Sequence, residues 1–287
     1  MSNQLHKSPA LIYLAAVPFI TAAVGFGIGG FSNMINIPLW IAHSLLMILL
    51  FSKRTAHLQT EKPGQDKQWR KAIFLLFLPW VLFTLFAGFG PPPATAEAWV
   101  HSALQQQVRY TILAIGGIIS AAGFRMLAQQ LKHYPGNHLA KAGLRSVMIA
   151  TPLHVLNMLY WGFFLTASFR YFVGQHITER PQWYLTARDI FYWIDSIALV
   201  LLYLSAALFA ASLKKAGIFK PGPANVYLGI SAFGIICSLL PPGVPAPLDV
   251  IAYLVAVPAI SFILPYLMSL NLAARHSSDP ATRNHQD

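Results

Sequence analysis

The chain has 287 residues, 56% of them hydrophobic and only 10% charged, with a mean hydropathy of +0.54 and a formal net charge of +11. A soluble domain carries about 25% charged residues. The deficit, with its long uncharged runs, excludes an ordinary soluble protein and puts the chain in the membrane class.

A membrane helix needs roughly 20 apolar residues. Eight segments reach or approach that length, at 9–30, 35–52, 72–90, 106–127, 146–169, 189–213, 224–240 and 248–271. Their apolar runs are continuous rather than alternating, which excludes a closed barrel. The expected fold is all-α: a polytopic bundle of about eight spans over 9–274, with residues 1–8 as a short cytoplasmic N-terminus and 275–287 as a disordered cytoplasmic tail. The first run is of span length and lacks a small-residue cleavage site, so it is expected to be the first helix and not a signal peptide.

The connections alternate in character along the chain. A four-residue turn, 31–34, is followed by the most polar loop, with Lys53, Arg54, Lys62, Lys67, Arg70 and Lys71 around Pro63-Gly64. Pro91-Pro92-Pro93 leads into the fourth span, and Arg125, Lys132, Lys141 and Arg145 follow it. The 170–188 loop mixes Tyr171, Phe172, Trp183 and Tyr184 with charges. Lys214, Lys215 and Lys220 come next, and Pro241-Pro242-Gly243-Val244-Pro245 forms the last turn.

Sixteen of the 20 Lys and Arg fall in the termini and the even-numbered connections. Cytoplasmic loops keep an excess of Lys and Arg, so both ends are predicted to lie inside a cytoplasmic-type membrane. The other four, Arg109, Arg170, Arg180 and Arg188, meet five acids on the outer side: Glu97, Glu179, Asp189, Asp195 and Asp249. Five of the seven tryptophans (Trp40, Trp99, Trp161, Trp183 and Trp193) map to that outer half, as an aromatic belt would. The basic charge does not read as a nucleic-acid surface, because it lies in short loops and forms no groove. The partners expected are the lipid bilayer and a small-molecule or lipid substrate.

Trp40-Ile41 recurs as Trp193-Ile194, and the Gly90-Pro91 turn as Pro241-Pro242. This hints at a parallel four-plus-four repeat with halves near 1–140 and 141–274, in competition with chance.

Ionisable groups inside spans are costly and tend to face the bundle interior or water, which makes them functional candidates by default. His43 and His154 both lie near the midplane. Asn157 and Tyr160 follow His154 on broadly one helix face. Asp195, flanked by Tyr192 and Ser196, sits in the outer third of the sixth span. The expected site is a polar cavity between the second, fifth and sixth spans, lined by His43, His154, Asn157, Tyr160, Tyr192 and Asp195. An outer vestibule of Arg109, Arg170, Asp249, Trp40 and Trp193 lies above it.

Each of these residues also has a plainer reading. A neutral imidazole glues two helices, an ion pair with Arg109 or Arg170 neutralises Asp195, and a helix start solvates Asp249. Gly25 and Gly29, and Gly116-Gly117, point to close helix contacts. Pro18, Pro79, Pro258 and Pro265 fall inside spans and point to kinks.

One cysteine, Cys237, leaves no intrachain disulfide and no thiolate metal site. No Walker A, HExxH or Gly-x-Ser-x-Gly motif is present. The leading expectation is a transporter or permease for a small solute or lipid, with no cofactor. An intramembrane enzyme with a histidine acid/base is the alternative. A haem held by His43 and His154 is a second one.

Overall fold

The computed structural model describes residues 9–28, 30, 32–56, 65–241 and 244–275. Glu61, Lys62, Pro63-Gly64, Gly29, Pro242-Gly243 and the two terminal segments lie outside the described residues. Among the described residues the chain is helical, with no strand.

The described residues form eleven α-helices in order. They are α1 (Pro9–Gly27), α2 (Asn33–Thr55), α3 (Gln65–Phe83), α4 (Ala96–His101), α5 (Ala103–Gln130), α6 (Asn137–Leu159), α7 (Leu165–Gly174), α8 (Gln182–Lys215), α9 (Pro221–Ser238), α10 (Leu248–Ala256) and α11 (Ile263–Arg275). A 3-10 turn at Thr84–Gly88 extends α3, and a π-helical turn at Tyr160–Phe164 joins α6 to α7.

Six of these helical stretches are long and apolar enough to cross a membrane, and a bent pair made of α10 and α11 makes up to seven. The protein is therefore a multi-pass helical bundle by the length and composition of its helices. All eight expected segments are helical. The α9 helix falls short of the six because its first turns, Pro221-Gly-Pro-Ala-Asn225, are polar. The 248–271 segment is bent by 69° at Pro258. Proline lacks an N–H and pushes the residue before it out of the helical region. Val257 is accordingly extended, with φ −60° and ψ 119°.

The bundle centres on α3 and α8, each about three-fifths buried over its apolar window (61%); α1 and α2 are peripheral, at 22% and 17%. Helix α3 packs on α5, α5 on α6, α6 on α8 and α8 on α9, while α11 closes the ring against α3. Small residues allow the close approaches. A Cβ on Gly123 would meet Leu76, and one on Gly143 would meet Phe209. Hydroxyls bind across the same seams: Ser205 donates to the Gly143 carbonyl at 3.0 Å and Ser146 to that of Leu201 at 2.8 Å, joining α6 and α8. In lipid such polar contacts and close packing hold helices together, because burying apolar surface does not.

Helices α1 and α2 do not form a tight hairpin. Both rest on the 84–88 turn and on α11. Tyr266 of α11 anchors α1 by donating to the Leu14 carbonyl at 2.6 Å, and its ring stacks on Phe77, itself stacked on Phe51 of α2. The wedge left between α1 and α2 positions the site described next.

Candidate functional site

Two cavities open around α1. The first, of about 100 Å³, lies where α1, the end of α3, the start of α5 and the α10–α11 break converge. Its walls are Thr21, Gly25 and Phe26 of α1, Trp80, Phe83 and Phe86, then Gly90 and Pro92 of the following loop, Arg109, Tyr110 and Leu113 of α5, and Val257 to Ile260 of the break. The second, a groove of about 300 Å³, lies between α1 and α2 over the 84–88 turn, with Tyr13, Asn36, Trp40, His43 and Thr84 among its lining residues. Thr21 lines both.

Arg109 is the chemically distinctive residue of the first cavity. It is 5% exposed. Its Nη2 donates to the Gly90 carbonyl at 2.6 Å, and its guanidinium carbon lies 5.8 Å from the centre of the Phe89 ring. Nε and Nη1 are buried without a hydrogen-bond partner. The loop is shaped for this contact: Gly90 takes a left-handed conformation (φ 66°), which a glycine adopts without steric cost, and Gln105 ties the same loop to α5 through the Phe89 carbonyl at 3.1 Å. Among the described residues no acid pairs with Arg109, whereas Arg188 and Asp189 form an exposed ion pair at 3.0 Å.

The groove is lined by a histidine–tyrosine pair. Tyr13 Oη and His43 Nδ1 are hydrogen-bonded at 2.8 Å, with the rings edge to face. Backbone carbonyls at the end of α3 are met from α2. Trp40 donates to the Val81 carbonyl at 3.2 Å and Asn36 to that of Leu85 at 3.4 Å. Gly88 has no room for a side chain, since a Cβ there would overlap the Asn36 amide.

The remaining candidates occupy other places. His154 is buried between α5 and α6 and donates from Nε2 to the Leu113 carbonyl at 3.1 Å. A carbonyl only accepts, so that bond fixes the proton on Nε2. The ring lies against Gly117 and edge-on to Phe262. Asn157, fully buried, donates to Asp195 Oδ1 at 2.6 Å across α6 and α8, leaving its own Oδ1 unpartnered. Asp195 thus takes a neutral amide, and neither Arg109 nor Arg170 pairs with it.

Tyr160, in the π-helical turn, stacks on Phe191 at 4.1 Å. Tyr192 donates to the Leu240 carbonyl at 3.1 Å and ties α8 to the end of α9. Trp193 is 62% exposed on the outer surface of the bundle; Arg170 and Asp249 are also exposed. Of the candidates read from sequence, then, Trp40 and His43 meet in one cavity and Arg109 stands in the other. His154 and the Asn157–Asp195 pair form two further polar contacts between helices. Among the described residues no three metal-ligating side chains converge.

No protein-family model, no curated protein and no solved structure matches the chain. The reading of the site therefore rests on its geometry.

Sequence reading passed over Thr21, met Gly90 only as part of a turn, and saw only a kink at the Val257-Pro258 break. The last carried a signal, because a proline ten residues into a span places non-helical backbone at membrane depth.

Proposed function

We propose that the protein is a permease-type transporter of the cell membrane, with both termini cytoplasmic, moving a small solute or lipid past the α10–α11 break. The supporting observation is that break: a 69° interruption of a membrane helix whose non-helical residues line the same cavity as a buried arginine. Irregular backbone is tolerated in a bilayer only where protein covers it or where it lines a cavity, and transporters place substrate sites at such discontinuous helices. The charge distribution supports the orientation. With that orientation the first cavity falls in the outer half of the bilayer, and the groove reaches the midplane at His43. Arg109 lies about 9 Å from the start of α5, at roughly 1.5 Å per residue.

The test uses the single natural cysteine. In a Cys237→Ser background, Val257→Cys in the break is expected to react with a membrane-impermeant thiol reagent applied from outside. Leu45→Cys, on the lipid-facing side of α2, is expected to stay unreacted. Failure of Val257→Cys to react from either side contradicts a solute path there.

A second reading is an intramembrane enzyme on a lipid substrate, favoured by the Tyr13–His43 pair in a groove flanked by apolar side chains. Untargeted lipid and metabolite profiling of a deletion strain separates the two, by a missing product or a missing import. Full restoration of the profile by the His43→Ala chain rules out the enzyme.

A further inference from the structure

Arg109 is a buried cation with spare donors and, among the described residues, no acid paired to it. A guanidinium carries five N–H donors and stays protonated. One is taken by the Gly90 carbonyl, while Nε and Nη1 have no partner. The rest of the wall is almost entirely apolar: Phe83, Phe86, Val257 and Ile260 surround it. An isolated charge in such a place is expensive, and a charge of opposite sign relieves it. Asp195, the one acid deep in the spans, is already engaged by Asn157.

Size narrows the ligand. The cavity of about 100 Å³ has room for a carboxylate or phosphate group beside Arg109. The groove beside it is about three times larger, shares the wall residue Thr21, and presents Val17, Ile20 and Leu39.

We propose that the two cavities bind one anionic amphiphile, with its carboxylate or phosphate oxygens on Arg109 and its apolar chain running past Thr21 into the α1–α2 groove. This rests on reading the α10–α11 break as part of a path, and it names the class of molecule that path takes. The head and the chain are recognised separately. Arg109 supplies charge, and the groove supplies apolar surface.

The experiment is a thermal-shift titration of the full chain in dodecyl maltoside with dodecyl phosphate as the probe. Inorganic phosphate and dodecyltrimethylammonium serve as comparators. The wild-type chain is expected to melt several degrees higher with dodecyl phosphate and to be unmoved by either comparator. Arg109→Gln is expected to lose the shift and Arg109→Lys to keep part of it. Thr21→Trp, which leaves Arg109 intact and fills the junction, is expected to reduce it.

Equal shifts in wild type and Arg109→Gln overturn the assignment of Arg109. A full shift with inorganic phosphate alone overturns the amphiphile, because the chain then contributes nothing. An unreduced shift in Thr21→Trp overturns the shared path. If thiol labelling at Val257→Cys succeeds while dodecyl phosphate fails, the transport reading stands and the ligand class falls. If labelling fails, the transport reading falls first.

Discussion

Replacing Arg109 with Met is predicted to stabilise the ligand-free protein. On insertion scales an arginine at a helix centre costs about 2.5–3.5 kcal/mol. Arg109 is 5% exposed, with two of its three nitrogens unpartnered, so much of that cost persists in the fold. The bond to the Gly90 carbonyl returns about 0.6 kcal/mol, the average for polar contacts between membrane helices. Methionine preserves the apolar stem beside Phe89. The helix-centre cost less that bond is about 2–3 kcal/mol, and because Arg109 lies only about 9 Å into α5 the expected gain is about 1–2 kcal/mol, read by reversible unfolding in mixed micelles titrated with sodium dodecyl sulfate. Sites built to bind are commonly less stable than inert replacements, so the sign of the effect carries the meaning. A loss of more than about 1 kcal/mol in Arg109→Met refutes the reasoning, because it makes the guanidinium a structural tie.

Two further pairs of substitutions, each with its own control, probe the polar contacts that the cavities do not use. Gly117→Ala places a Cβ 2.6 Å from His154 Cδ2 and displaces the ring from the Leu113 carbonyl. The same assay is expected to show a loss of about 1–3 kcal/mol. Gly229→Ala, with open space around it, is expected to cost nothing measurable; equal losses at the two sites count against the packing described for His154. Asp195→Asn keeps an oxygen for the Asn157 amide and is expected to leave stability nearly unchanged. Asp195→Leu strands that buried amide at a cost of about 1–3 kcal/mol, and matching values for the two variants contradict the pairing.

Class was legible because a span is long and its apolar run unbroken; six to seven helices, against the eight spans expected, are long and apolar enough to cross. All eight expected segments are helical. Ends were less so. Helix α8 begins at Gln182, seven residues before the apolar run, since Trp183 and Tyr184 stay helical where the sequence turns polar. The kink at Pro258 was readable, but its size was not. A proline states that one N–H is missing, while the 69° bend depends on what packs against α10 and α11.

Partners across helices were the hardest to read. Depth follows from counting residues, but the apolar residues of α1, α5 and α9 are spread around each helix and not gathered on one face, so periodicity says little about which side meets a neighbour. His43 and His154 stand at similar depth on paper. One lies against Tyr13 in the α1–α2 groove and the other against Gly117 and Phe262. Arg109 was visible as an outer-side charge. That Asp195 takes the Asn157 amide and not Arg109 is a contact between residues 38 apart in the chain.

The most direct measurement of the central claim is the reactivity of Val257→Cys, in the Cys237→Ser chain, toward an impermeant thiol reagent with and without dodecyl phosphate. Reaction from outside that dodecyl phosphate suppresses, and suppression that Arg109→Gln abolishes, is the predicted result. A cysteine at 257 that reacts from neither side, or reacts equally with and without dodecyl phosphate, contradicts the account.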